Sequence, residues 1–402
     1  MAVRAAAAVA VLAVLGPAVP AQARVARCDR PPAPAAVRTA VPAEVRRFDV
    51  PSLAALATGA GVRVAVVDSG VDAAHPQLRG RVAAGRDFLR GGPGGREDCV
   101  GHGTGVASVI AAAAVDGTGF QGLAPGATIV PVRISEQEQI DGEAVGAQGS
   151  AADFARAIVW AADPAGGDAQ VINLSLAMTA DDAGVRRAVA RAVAAGVVVV
   201  AAVGNRAGEG NPTPYPAAYP GVIGVGAVAA DGTRSEFSQR GRYVDLVAPG
   251  AGVTVAAPGS GHRPVDGTSY AAPFVAGAAA LVRERFPRAT PEQVARRLFA
   301  TADPAPGGGR SAEYGFGVVN PYRALTETLG PLRERSPEPA VVFTDDPAAV
   351  AVRARRDAAQ RRALLLAGGG VAGMVLAVVV AGVWRGGRRR GWRAAGQGVR
   401  AG

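Results

Sequence analysis

A buried strand that ends in an acidic turn is predicted by residues 62–72, which read VRVAVVDSGVD. Working outward from it, further apolar, β-branched runs lie at 128–134, 171–174, 197–203 and 222–228. Helix-like stretches lie between or after these runs, at 104–114, 150–162, 183–195, 269–286 and 291–301. Strands that are apolar throughout and alternate with helices are typical of a parallel sheet that is buried on both faces. The sequence therefore predicts an α/β fold of three layers, with a mostly parallel sheet between helices.

Composition and charge narrow the function classes. Of the 402 residues, 49% are hydrophobic, which is enough to bury a sizeable core and excludes wholesale disorder. The net charge is +10, but residues 351–402 contain eleven Arg and one acidic residue, so the first 350 residues are close to neutral. Because a domain that binds nucleic acid needs a basic surface, we expect no nucleic-acid partner.

Both ends of the chain have the pattern of membrane-directed segments. Residues 1–23 have a positive charge near their start, at Arg4, followed by an apolar run and by the small-x-small sequence at which a secretory signal is cleaved. Residues 363–384 carry no charge, and a helix of 22 residues would be roughly 33 Å long, enough to cross a hydrocarbon core of ~30 Å. The alternative for each segment is a buried helix. Since Arg clusters flank both ends of the second segment, the export signal orients it. We expect a single-pass protein of the cell membrane whose folded domain lies outside the cytoplasm.

These patterns divide the chain into six parts. They are a signal peptide (1–23), an extended N-terminal arm (24–47), a folded domain (48–329), a Pro- and Arg-rich linker (330–362), a transmembrane helix (363–384) and a basic cytoplasmic tail (385–402). Within the folded domain, residues 135–149 are polar and contain glycine, which predicts an exposed loop.

The chain contains two cysteines, Cys28 and Cys99. In an exported chain an even pair favours a disulfide over two free thiols. The bridge would close a loop of about 70 residues, worth roughly 4 kcal/mol in the chain-entropy model. Because Cys99 lies three residues before His102, the bridge would hold the N-terminal arm beside that histidine.

Four short segments contain candidate catalytic residues, and the first two contain an aspartate and a histidine. Asp68 follows the first predicted strand directly, at the end where α/β sheets place catalytic groups. Asp68 could instead be an ordinary turn residue or half of an aspartic protease site. Such a site needs two carboxylates that share a proton, and because the chain has one Asp-Ser-Gly motif, it would require a homodimer. His102 stands in GHGTG, where small neighbours allow a substrate backbone to approach. Its alternative is a structural histidine in a turn.

The other two segments supply an amide and a hydroxyl. Asn205 follows the apolar run 197–203, and a strand-end amide can donate to a developing oxyanion, although turns also use Gly-Asn frequently. Ser269, in GTSYAAP, would open a long apolar helix whose N-terminus favours negative charge. The alternative for Ser269 is a plain helix N-cap.

The four segments together, in the order Asp, His, Asn, Ser, resemble the subtilisin-like serine proteases, or subtilases, over about residues 50–325. The resemblance implies a triad of Asp68, His102 and Ser269, with Asn205 in the oxyanion hole. It also implies that Ser175, Leu176 and Ala177 pair with extended substrate. Ala177 stands where Gly is usual in the family and Tyr270 where Met is commoner.

The layout of the whole chain resembles a narrower group, the mycosins, which are membrane-anchored subtilases of actinobacterial type VII secretion systems. The resemblance implies an endopeptidase that acts on exported polypeptides and contacts subunits of the secretion complex. The alternatives are a mainly structural subunit of that complex and a degradative surface subtilase unrelated to secretion. The short arm is better interpreted as a wrapping extension than as a removable folding domain. No cofactor or metal is expected, because no carboxylate cluster has the spacing of a calcium loop.

Overall fold

The computed structural model describes residues 33–140 and 143–329, and a few residues near the C-terminus (355, 362, 373–374, 376 and 379–385). The chain divides into two compact units, Met1–Gly330 and Pro331–Gly402. The expected signal peptide 1–23 and most of the expected span 363–384 lie outside the described residues. In the described part of the chain, no helix combines the length and the apolar character needed to cross a membrane.

The described elements of the first unit alternate between strands and helices. The strands are β1 (Arg63–Asp68), β2 (Arg86–Asp87), β3 (Thr128–Arg133), β4 (Glu138–Ile140), β5 (Glu143–Val145), β6 (Val171–Leu174), β7 (Val198–Ala202), β8 (Val222–Val228), β9 (Leu246–Pro249), β10 (Val253–Ala256), β11 (His262–Val265), β12 (Asp303–Pro304) and β13 (Gly317–Val318). The helices are α1 (Ala43–Phe48), α2 (Val50–Ala54), α3 (His102–Ala111), α4 (Ala151–Ala162), α5 (Ala183–Ala194), α6 (Thr268–Arg285), α7 (Pro291–Ala300) and α8 (Pro321–Thr326), with a 3₁₀ turn at Ala207–Glu209.

Nine strands form the central sheet, in the order β12–β13–β9–β8–β7–β6–β1–β3–β2. Every neighbouring pair is parallel except β12 with β13, so the prediction of a mostly parallel sheet is confirmed. Val67 at the end of β1 lies beside Leu174 of β6, which lies beside Ala201 of β7. The carboxyl ends of the central strands are therefore level, and the segments that follow them meet along one edge.

The apolar runs are continuous because both faces of the sheet are buried. Along β1, Val64 and Val66 pack into one hydrophobic cluster, which contains α3 and α6, while Ala65 and Val67 pack into the other, which contains α4 and α5. The three predicted layers are thus present. Helix α6 is the central element of its layer, since every residue from Tyr270 to Val282 is buried.

Capping residues set where several helices begin. The Ser150 hydroxyl accepts a hydrogen bond from the Asp153 N–H, and the Asp153 carboxylate accepts one from the Ser150 N–H; this capping box starts α4. Thr290 and Gln293 do the same for α7, with Pro291 at its first position. These starts agree with the helices predicted at 150–162 and 291–301.

The structure departs from the sequence expectations at two places. The segment 135–149, expected as a loop, contains the antiparallel pair β4–β5. The arm, expected to be extended through residue 47, becomes helical at Ala43.

The described part of the arm is tied to the β10–β11 ribbon. The Ala35 N–H donates to Ser260 O at 2.9 Å, and the His262 N–H donates to Ala36 O at 3.0 Å. The Arg38 N–H donates to Nδ1 of the buried His262 at 3.0 Å. The arm therefore runs along the edge of the ribbon that leads into α6.

Candidate active site

A cleft of about 840 Å³ at the carboxyl edge of the sheet brings together the four residues singled out in the sequence. Asp68 is the last residue of β1, His102 the first of α3, Asn205 follows β7, and Ser269 is the second residue of α6. All four line the cleft. They converge because each belongs to a segment that leaves or enters the sheet at the same edge.

Asp68 and His102 form a close pair at the base of the cleft. Nδ1 of His102 lies 2.7 Å from Oδ1 of Asp68, a carboxylate that is 1% exposed. The Ser69 N–H donates to the same oxygen at 2.7 Å. This geometry places the Nδ1 proton on the carboxylate side of the ring and leaves Nε2 facing the cleft as a base.

The charges around His102 decide its protonation. Burial disfavours the imidazolium, but the charge and hydrogen bond of Asp68, together with the charge of Asp98, outweigh burial and raise the pKa of His102. The positive charge of Arg263 opposes this rise. The imidazole is therefore a stronger base than a free histidine.

Ser269 is held at the N-terminus of α6. Its Oγ donates to Ser175 O at 3.1 Å, and the Ser175 Oγ donates back to Ser269 O at 2.8 Å. Asn173 Nδ2 donates to that same Ser175 hydroxyl at 2.8 Å. The helix N-cap is Gly267, so the interpretation of Ser269 as a plain N-cap is wrong.

The amide of Asn205 has a fixed orientation. Its Oδ1 accepts hydrogen bonds from the Thr268 N–H and from the Thr268 Oγ, both at 2.9 Å. The Thr268 Oγ in turn accepts from the Gly204 N–H at 3.1 Å. Because Oδ1 is occupied by two donors, Nδ2 is the end that can donate to an anion beside Ser269.

Asp98 is a site residue that the sequence reasoning missed. It is buried, and its Oδ1 accepts from Ser69 Oγ, Val100 N–H and Gly101 N–H at 2.9, 3.1 and 2.7 Å. Its Oδ2 accepts from the N–H and the Oγ of Thr104 at 2.8 and 2.7 Å. The carboxylate thus folds the loop that carries His102. The available signal was an acidic residue four positions before that histidine.

The remaining predicted residues lie in or beside the cleft. The cleft is lined by Ser175, Leu176 and Ala177, and the largely buried Ser175 also supports Ser269 as described above. Tyr270, which is also buried, packs its ring against His102 with centroids 5.0 Å apart and a tilt of 49°. Cys99 carries no free thiol. Its expected partner Cys28 lies outside the described residues, so the pairing stays a prediction.

The arrangement suits nucleophilic attack on a carbonyl. It combines a hydroxyl at a helix N-terminus, an imidazole oriented by a buried carboxylate, and an amide donor fixed for an oxyanion. Within the described residues, no group of three or more histidine, cysteine or carboxylate side chains is arranged to hold a metal ion.

Comparisons with known proteins agree with this chemistry. Residues 59–317 match the model of the subtilase family. Subtilisin E of Bacillus subtilis (strain 168) is 36% identical over 283 residues, 70% of this chain and 70% of that protein. Mycosin-1 of Mycobacterium tuberculosis (strain ATCC 25618 / H37Rv) is 37% identical over 324 residues, 68% of this chain and 71% of that protein.

Solved structures of mycosins are also similar. The structure of MycP1 from Mycobacterium smegmatis superposes with a TM-score of 0.63 and 30% identity, covering 76% of this chain and 92% of that one. MycP3 protease from the type VII (ESX-3) secretion system gives a TM-score of 0.62 and 32% identity, covering 75% of this chain and 96% of that one. The chain belongs to the subtilase family of serine endopeptidases, with the mycosins among its relatives.

Proposed function

We propose that the chain hydrolyses peptide bonds through a triad of Asp68, His102 and Ser269, with Asn205 in the oxyanion hole. The observation that supports this best is the 2.7 Å contact between His102 Nδ1 and the buried Asp68 carboxylate, in a cleft that Ser269 and Asn205 also line. If the contact between Asp68 and His102 were only a structural ion pair, the same cleft would not also need a hydroxyl at a helix N-terminus and an amide of fixed orientation.

The reaction begins when the Ser269 hydroxyl turns from Ser175 O to Nε2 of His102. His102 takes the hydroxyl proton as Oγ forms a bond to the scissile carbonyl carbon. Nδ2 of Asn205 and the Ser269 N–H hold the resulting oxyanion, and one such donor is worth ~3 kcal/mol in the transition state. His102 then passes its proton to the leaving amine as the carbon–nitrogen bond breaks. Water repeats the steps to release the acyl group.

Extended substrate would lie along Ser175, Leu176 and Ala177. The methyl group of Ala177, where Gly is usual in the family, narrows the adjoining pocket. That pocket would favour small side chains on the acyl side of the scissile bond.

A serine-directed fluorophosphonate tests the nucleophile directly. We expect the detergent-solubilised full chain to be labelled on Ser269, and labelling and peptide hydrolysis to be lost together in Ser269→Ala. The matched control is Ser235→Ala, which removes a buried serine hydroxyl that does not line the cleft. Full labelling of Ser269→Ala would refute the assignment.

We further propose that the enzyme is a mycosin anchored in the cell membrane, with its domain outside the cytoplasm. Similarity to Mycosin-1 and to MycP structures supports the group. The signal-like residues 1–23 and the uncharged stretch 363–384 support export and anchoring. Its substrates would then be exported polypeptides, cut close to the membrane. N-terminal sequencing should find the chain starting at Arg24, and a chain ending before residue 363 should be released from membranes.

A structural role in the secretion complex is the second candidate. One similar structure is described as MycP1, an essential component of the type VII (ESX-1) secretion system. The Ser269→Ala chain separates the two roles, because it keeps the fold and loses the nucleophile. If secretion continues while substrate cleavage stops, the structural role is independent of catalysis; loss of both would show that secretion needs hydrolysis.

A further inference from the structure

Arg263 is a charged residue of the cleft that the mechanism above does not use. It lies on β11, three residues before Asp266, and its register partner on β10 is Val255. The guanidinium faces the cleft and reaches the backbone beside His102: its Nη2 lies 3.3 Å from the point where a Cβ on Gly101 would stand.

The charge of Arg263 is not neutralised by the protein around it. In the part of the chain that the structure describes, no carboxylate lies within ion-pair distance of its guanidinium. Its Nε is buried and has no hydrogen-bond partner among these residues. The nearby Asp98 is occupied by the loop before α3, and Oδ1 of Asp266 accepts from the Gly252 N–H at 2.7 Å.

Tyr270 is a buried neighbour of Arg263, and it stays neutral. The guanidinium of Arg263 is close enough to the Tyr270 hydroxyl for its positive charge to oppose the rise in the pKa of that hydroxyl. Burial of that hydroxyl raises its pKa, so no phenolate forms to balance the guanidinium. A guanidinium has five N–H donors in a planar fork, and since Nε is buried, the four N–H groups on the two Nη nitrogens are the donors left for an anion.

The position of Arg263 assigns it to one side of the scissile bond. The acyl part of a substrate lies towards Asn205 and the segment 175–177. The leaving amine must lie next to His102, because His102 protonates it. Arg263 lies beside Gly101, which precedes His102 in the chain, and beside Tyr270, whose ring packs against His102. It therefore faces the residues after the scissile bond.

We propose that Arg263 is a specificity-determining residue that binds a carboxylate of the substrate within the first two residues after the scissile bond. This inference rests on the proposed peptidase function and names a substrate class for the same site. The carboxylate would come from an Asp or Glu side chain, or from a free C-terminus at that place. Because Nε is buried, the two Nη nitrogens would donate to the two carboxylate oxygens as a bidentate pair.

Matched peptides test the charge preference with the full chain. Cleavage of a peptide library, analysed by mass spectrometry, first identifies a parent sequence. The parent is then synthesised as matched pairs, Asp against Asn and Glu against Gln, at each of the first two positions after the cleaved bond. All these peptides are amidated, and an additional pair compares a free C-terminus with an amide at the second position. We expect kcat/KM to be about tenfold higher for the acidic member, with the ratio falling as salt is added.

Variants of the residue identify the source of that preference. In Arg263→Gln the acid-to-amide ratio should fall to about one, in Arg263→Lys it should be partly kept, and in Arg263→Glu it should reverse in favour of Lys peptides. The control is Arg206→Gln, which removes the same charge from the same cleft but from a guanidinium already paired with Glu209 at 2.6 Å. Its ratio should match that of the wild-type chain.

The outcomes separate this inference from the function beneath it. A wild-type chain that is labelled by fluorophosphonate and cleaves Asp and Asn peptides equally well overturns the role of Arg263 alone. A ratio that survives in Arg263→Gln also overturns it. If the wild-type chain is not labelled and cleaves neither series, the proposed function and this inference fail together. The wild-type ratio and its salt dependence decide the question even if a variant fails to fold.

Discussion

Replacing Asp98 by Asn should destabilise the folded domain strongly, although it changes one atom. The two carboxylate oxygens of Asp98 accept five hydrogen bonds, two of them from Thr104 at Oδ2. An amide nitrogen in place of Oδ2 would face the Thr104 N–H, so that two donors would oppose each other. Thr104 has no exposed surface, and water cannot supply the missing acceptor. The Thr104 hydroxyl can rotate to accept from the new amide, but the N–H cannot.

The magnitude follows from these contacts. A buried N–H without a partner costs about 1–3 kcal/mol, and the three bonds that remain at Oδ1 lose the assistance of a charge. We expect a loss of roughly 2–4 kcal/mol in the free energy of unfolding, which for a domain of this size lowers the melting temperature by roughly 5–12 °C. The pKa of His102 should also fall, since the charge of Asp98 helps to raise it.

Two measurements check this reasoning. Melting is followed by circular dichroism for the wild-type chain, Asp98→Asn and the control Asp116→Asn, which removes a carboxylate from an exposed turn. The acid limb of the pH–activity profile is recorded for the same three proteins, and it should move to lower pH in Asp98→Asn alone. If Asp98→Asn melts within 2 °C of Asp116→Asn, the five-bond network does not have the energetic role assigned to it.

Three further outcomes are expected. Because the neutral imidazole is the base and the pKa of His102 is raised, kcat/KM should fall as pH decreases through a value above 6.5, in a profile recorded with an uncharged peptide. Thr268→Val removes the hydroxyl that donates to Asn205 Oδ1, so kcat should fall about five- to tenfold with little change in KM, whereas Thr268→Ser should retain most activity. Burial, together with nearby positive charge, lowers the pKa of His262 to about 4, and Nδ1 of His262 accepts a hydrogen bond from the Arg38 N–H, so the folded protein holds this histidine neutral. Because the unfolded chain takes up the proton near pH 6.5, denaturant midpoints should fall as pH decreases from about 6.5 to about 4. The fall should be less steep in His262→Gln.

The central strands could be predicted because their sequence carries a strong signal. Burial on both faces requires continuous apolar residues, and β1, β3, β6, β7 and β8 all show such runs. Shorter strands gave no comparable signal. Strand β11 contains an exposed proline, Pro264, beside the half-buried Arg263, while β12 and β13 have two residues each, too few for any periodicity.

The candidate site was predictable where one residue type at one junction implies chemistry. Asp68, His102 and Ser269 each follow or start an element that the apolar pattern already located. Asp98 and Arg263 were missed for a different reason: their roles come from the backbone donors of a loop and from the contacts of a ribbon. The acidic residue four positions before His102 marks Asp98 as a candidate, but its five hydrogen bonds and the place of Arg263 in the cleft follow only from the coordinates.

The burial of α6 links the reactivity of the nucleophile to the integrity of the whole domain. Ser269 is carried by a helix whose next thirteen residues, Tyr270 to Val282, are all enclosed. Partial opening at the periphery would leave such a helix in place, because releasing it exposes the middle of the protein. After heating, the residual hydrolytic activity should therefore be proportional to the fraction of molecules that remain native, and few molecules should be folded but slow.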